Sequence, residues 1–255
     1  NISSAVFVDS FSVSSEDARP TGVRFNNDGS KMFIIGRDEN KVFEYSLSVN
    51  FDVSEANYTG NSFDVSSQVK SVFLGLAFSH DGTMMYVTDA QGASSTRSVY
   101  QYSLNKSFDL SGGANLIRSA KTTADIETLT TNELEPGGIA FNKNGTRMFL
   151  VGTSGNNVNQ YTLSEGFNIS TASYDGGVRR LPNPKGIHFS PDGLRMFILD
   201  STHKVVQEHH LPCPFNLFAG KCEKITQNSD RAGIAEAQLE LAKRTINMST
   251  NSVLN

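Results

Sequence analysis

Five histidines (His80, His188, His203, His209 and His210) and a scatter of aspartates are the residues of this 255-residue chain whose types can do chemistry. An imidazole beside a carboxylate moves protons, and three such groups converging on one point hold a metal. Spacing argues against a site built by sequence neighbours. His209 and His210 are adjacent in "KVVQEHHLP", which alternates like a strand, so their side chains point to opposite faces and do not chelate one ion. His80 lies in "SHDG", a turn, where a solvent-facing residue is expected. Asp38, Asp89 and Asp200 follow the apolar runs of "IIGRD", "YVTD" and "FILD", so they read either as solvated loop carboxylates or as calcium ligands gathered at one end of a repeated unit. No EF-hand loop, nonapeptide calcium repeat, Gly-x-Ser-x-Gly elbow or glycine-rich phosphate loop occurs. The metal question stays open at this level, and the residues call for no cofactor.

The elements that must position these groups repeat. "RFNNDGSKMFIIG", "AFSHDGTMMYVTD", "AFNKNGTRMFLVG" and "HFSPDGLRMFILD" align on Asp28-Gly29, Asp81-Gly82, Asn144-Gly145 and Asp192-Gly193, at separations of 53, 63 and 48 residues. Asp-Gly and Asn-Gly mark tight hairpin turns, because a backbone with positive φ costs little at Gly and Asn. Each turn is entered by Gly-aliphatic-x-Phe and left by a Met-aromatic-aliphatic run. These nearly continuous apolar runs predict strands covered on both faces, and they are read here as the inner walls of any central channel. A third, alternating strand follows in "KVFEYSLS", "SVYQYSLN", "NVNQYTLS" and the degraded "KVVQEHHLP", each followed by "FDVS", "FDLS", "FNIS" or "FNLF". Fourth strands are expected in "ANYTGNSFDVSS", "ANLIRSAKTTA" and "ASYDGGVRRL", with "SAVFVDSFSVSS" supplying the one for the first unit.

Four-stranded antiparallel units of about 50 residues are the repeat length of β-propeller blades, which stack around an axis to bury their faces. The expected fold is therefore all-β, a propeller over residues 1–222, with four blades visible as a ring or as part of a larger one. The wording "PTGVRFNNDGSKMFIIG … VFEYSLSVNFDVSEA" resembles the propeller repeats of bacterial and phage surface proteins, over about Ala5 to Leu217. The chain contains no Trp and so lacks the Trp-Asp pair of WD repeats.

From Asn228 the composition changes. "NSDRAGIAEAQLELAKRTINMSTNSVLN" places Ala235, Leu239, Ala242 and Ile246 on one helical face, with Ser229 or Asp230 as the cap, so an amphipathic helix is expected within 223–255. That stretch is similar to the linker ahead of the translocator barrel in marine bacterial autotransporters. The resemblance implies a surface passenger followed by an outer-membrane barrel.

Bulk properties narrow the function classes. A net charge of −4 with no basic block disfavours a nucleic-acid partner, and no apolar run approaches the roughly 20 residues of a helical membrane span. Cys213 and Cys222, the only cysteines, fit a small disulfide loop in an oxidising compartment, hence an extracellular or cell-surface location. Sequons begin at Asn1, Asn57, Asn105, Asn144, Asn168 and Asn247, and a chain start at Asn1 rather than Met points to a processed piece. The reading favoured at this level is a non-catalytic secreted passenger presenting loops such as 91–97 and 121–133 to a protein or glycan. The alternative is a propeller-type hydrolase or lactonase, which needs polar groups converging on the channel.

Overall fold

The computed structural model describes residues 6–69, 75–90, 98–121, 136–153, 155–179, 181 and 183–218. Residues 219–255, with Cys222 and the expected helix, lie outside the described residues, as do the loop at 91–97 and all of 121–133 but residue 121.

The described chain is all-β. Blade 1 comprises β1 (Pro20–Phe25), β2 (Lys31–Gly36), β3 (Lys41–Leu47) and β4 (Ala56–Asp64); blade 2 comprises β5 (Leu76–Phe78), β6 (Met84–Asp89), β7 (Ser98–Lys106) and β8 (Asp109–Lys121). Blade 3 comprises β9 (Pro136–Phe141), β10 (Arg147–Gly152), β11 (Asn157–Leu163) and β12 (Ala172–Arg179), and blade 4 comprises β13 (Pro184–Phe189), β14 (Arg195–Asp200) and β15 (Val205–His210). Each blade is an antiparallel meander in sequence order, four-stranded in the first three and three-stranded in the fourth.

The sequence assigns strands to blades differently in one respect. Blade 1 takes its own "ANYTGNSFD" as fourth strand, and the N-terminal "VFVDSFSV" belongs to no strand of the described sheets. The fourth strands are thus shifted by one blade from expectation, which leaves blade 4 with three strands among the described residues.

The second strands carry the core. In β2, β6 and β10 five of six residues are buried, because alternate side chains pack against the blades on either side. Phe33 and Ile35 pack with Leu76, Met85 and Val87 of blade 2, Tyr86 with Ile139, Met148 and Leu150 of blade 3, and Phe149 and Val151 with Ile187, Met196 and Ile198 of blade 4. A fully buried Phe or Ile of this kind contributes about 1.5–3 kcal/mol. The fourth cluster, Met32, Ile34, Phe43, Tyr45, Leu47 and Ala56, is covered by Val13 of the N-terminal segment rather than by a blade.

The turns differ in detail from expectation. Gly29, Gly82, Gly145 and Gly193 adopt φ of 75°, 70°, 71° and 69°, whereas the Asp or Asn before each does not have positive φ. That residue caps the turn instead: Asp28 Oδ1 accepts from Ser30 N at 3.0 Å, and Asn144 Oδ1 accepts from Thr146 N at 3.2 Å. The Phe of each "FD" or "FN" pair then folds back over the turn glycine, and Phe108 N donates to Gly82 O at 3.0 Å.

Candidate active site in the channel

The strands nearest the axis are the first of each blade, not the Met-aromatic second strands. β5 lies beside β1 and β9, and β9 beside β13. The Gly-aliphatic-x-Phe motif thereby acquires a register. Its third residue, Arg24, Ala77, Ala140 or His188, sits opposite Phe33, Tyr86, Phe149 and Phe197 respectively. All four line one cavity of about 290 Å³. The wall of the channel is thus polar at two of its four equivalent positions, which corrects the expectation of a wholly apolar wall.

Arg24 and His188 are the groups of interest. Arg24 Nη2 donates to Ile139 O at 3.3 Å and Nη1 to Val23 O at 2.8 Å, so backbone carbonyls of blades 1 and 3 steer the guanidinium. Desolvation lowers the pKa of Arg24 from its ordinary value. Burial, and then the charge of Arg24, holds the His188 imidazole below its ordinary value, so the ring is neutral near pH 7 while it faces the cavity. At the rim the second residue of three turns recurs: Asn27, His80 and Lys143. Asn27 Nδ2 donates to His80 O at 2.7 Å and ties two of these turns together. Phe25, Phe78 and Phe141 supply apolar walls, and among the described residues no Asp or Glu lines the cavity. A cavity whose described lining holds Arg24 and Lys143 and no carboxylate favours anions and developing negative charge.

Apart from His80 at the rim, the other candidate residues lie elsewhere. Asp89 and Asp200 are each 1 % exposed, which excludes the solvated-loop reading for both. Desolvation pushes the Asp200 carboxyl up, but hydrogen bonds from His203 and from the Thr202 and His203 backbone outweigh it and leave its pKa lowered. Asp38 pairs with Arg19. No group of three metal-ligating side chains occurs among the described residues. His80 is exposed at its turn, and His209 and His210 contact Gln207 and Glu208 on β15. Cys213 is buried beside Asn216, with its expected partner Cys222 outside the described residues.

No family model and no curated protein matches this chain. Solved structures do. A provisionally assigned 6-phosphogluconolactonase from Bacteroides fragilis matches with a TM-score of 0.51 at 16 % identity, covering 75 % of this chain and 50 % of that one. A second provisionally assigned 6-phosphogluconolactonase, from Bacteroides uniformis, matches with a TM-score of 0.50 at 14 % identity over the same shares. A protein from Lactobacillus plantarum gives 0.51 at 11 %, again with 75 % and 50 % covered. The chain therefore spans about half the length of the solved propellers it matches. At these identities the likeness establishes the bacterial-type propeller fold. The expectation of a non-catalytic autotransporter passenger is corrected: two of these three propellers carry a lactonase name, and none is described as a surface passenger.

Proposed function

We propose that this chain is the site-bearing part of a lactonase-type propeller, hydrolysing a cyclic ester in the channel. The observation that carries the reading is the meeting of Arg24 and His188 in one cavity whose described lining holds no carboxylate. The lactonase names of two structural neighbours support it.

Each group has a chemical role in such a reaction. Neutral His188 accepts a proton from the attacking water as its oxygen bonds to the lactone carbonyl carbon. The carbonyl oxygen gains negative charge next to the Arg24 guanidinium, whose backbone hydrogen bonds hold it in place before the reaction begins. The ring C–O bond then breaks, and the proton held by His188 passes to the leaving alkoxide, giving an open hydroxy acid. Lys143 and Asn27 at the rim suit the hydroxyl or anionic groups of a sugar-derived lactone.

The test is ring opening of a six-carbon sugar δ-lactone, with and without a 6-phosphate, followed by acid release above the spontaneous rate. Catalysis by the full chain is expected, with kcat falling about 100-fold in His188→Ala and by a similar factor in Arg24→Ala. A rate equal to background, or variants as active as the parent, overturns the proposal.

A further inference from the structure

The two ends of the row of blades are incomplete in complementary ways. At the far end, blade 4 lacks, among the described residues, the outer strand that β4, β8 and β12 provide to the others, so β15 is the edge of the described sheet. Leu199 is 47 % exposed there, whereas Ile35 and Val151 at the same repeat position are fully buried by a following blade. At the near end Val23 is 45 % exposed, whereas its counterparts Leu76 and Ile139 are buried by a preceding blade.

The missing strand is present in the sequence. "SFSVSS", Ser10 to Ser15, repeats "SFDVSS", Ser62 to Ser67, with one difference, and in blade 1 that stretch ends the fourth strand, where Phe63 pairs with Val42. Phe11 corresponds to Phe63, and Val206 of blade 4, opposite Leu199, corresponds to Val42, opposite Ile35. The segment already lies where the outer strand of a preceding blade would be: Phe11 packs edge-on against Tyr45 at 5.7 Å, and Val13 covers the Met32 cluster. Just ahead of it, Val6, Phe7 and Val8 are 82 %, 79 % and 89 % exposed and belong to no strand.

Hydrogen bonding between blades points the same way. Glu44, Gln101 and Gln160 on third strands each accept from a backbone N–H in the Phe-Asp/Asn-aliphatic turn of the next blade, at Leu110 (2.7 Å), Ile169 (3.2 Å) and Leu217 (2.8 Å). Glu208, their counterpart in blade 4 opposite Phe197, pairs instead with Arg195 at 3.7 Å and His210 at 3.8 Å within its own blade. The remaining turn of this kind, Phe51-Asp52-Val53, stands at the opposite end, where no Glu or Gln side chain reaches Val53 N–H among the described residues and Phe51 is 58 % exposed.

We infer that the chain pairs head to tail with a second copy of itself, each copy lending residues 6–13 as the fourth strand of its partner's blade 4. Backbone pairing along β15 supplies the affinity, and Leu199 with Val206 meets Val23 and Phe51 across the joint. Two such heterologous contacts related by a twofold axis close on themselves.

Sedimentation or light scattering of the full chain tests this. The parent is expected at twice 27.8 kDa. Leu199→Glu, and separately a variant with Val6, Phe7 and Val8 all changed to Ser, should each be monomeric, with association weakened at least 100-fold and near-ultraviolet circular dichroism unchanged. An equimolar mixture should recover a 1:1 heterodimer, since one variant keeps an intact strand and the other an intact blade 4. A parent that stays monomeric at tens of micromolar overturns the inference, whether its own chain or a different partner covers the face. So does a dimer indifferent to the N-terminal substitutions, or a mixture that does not associate, as a symmetric tail-to-tail contact would behave.

Discussion

Arg24 and His188 occupy the same register of two different first strands, and the field of one acts on the other. The imidazole is held below its ordinary value, so the unfolded chain takes up this proton before the folded one does. The His188 contribution to stability is constant above about pH 6.5 and is lost as pH falls below that toward the depressed folded value. Replacing Arg24 with Gln removes the guanidinium charge, and the His188 midpoint, followed by NMR, should rise toward 6.5. A midpoint that stays put would mean that burial alone sets it. For turnover the sign is the same: the rate should fall on the acid side as His188 is protonated, and this limb should move to higher pH in Arg24→Gln. Neither residue stood out in the sequence, because the Met-aromatic runs looked like channel walls and the first strands like turn entries. The signal was present, since the third position of Gly-aliphatic-x-Phe reads Arg, Ala, Ala, His, the one place in that motif where the repeats differ in charge.

At the scale of elements, the strands and turns were legible because apolar periodicity and Asp-Gly pairs are local signals. Their partners across blades were not. Nothing in "VFEYSL" says that Glu44, 2 % exposed, accepts from Lys31 Nζ at 3.0 Å while binding Leu110 N at 2.7 Å in the next blade. The likeness among Glu44, Gln101 and Gln160 becomes meaningful only once the blades are stacked. It also makes a graded prediction. Glu44→Leu leaves the buried Leu110 N–H without its acceptor and takes one partner from the Lys31 ammonium, which keeps Phe108 O and Asp109, at a cost of about 2–3 kcal/mol. Glu44→Gln keeps an acceptor for Leu110 N, as blades 2 and 3 do, and should cost about 1–2 kcal/mol. Urea midpoints of the two variants decide: equal losses would mean that the bond between blades contributes nothing and that the Lys31 pairing carries the whole effect.

At the scale of the molecule, stacked repeats bind chiefly to their neighbours, so stability should vary along the row according to how many faces of each blade are covered. Blades 2 and 3 are enclosed on both sides by Phe33, Ile35, Tyr86, Phe149 and Val151, whereas β14 alternates between buried and exposed residues and β15 buries none. The sequence carried this gradient only as a hint, in the degraded "KVVQEHHLP" where the other repeats read "VYQYSL" or "VNQYTL". Hydrogen exchange read by mass spectrometry on dilute protein should therefore find the slowest amides in β10 and β11 and the fastest strand amides in β15, because local opening there exposes little apolar surface. Raising the protein concentration should slow β15 selectively and leave β10 unchanged, if a second copy lays its N-terminal segment along that edge. Uniform protection across all four blades at every concentration would mean that the face of blade 4 is already covered within one chain, and the head-to-tail pairing would fall with it.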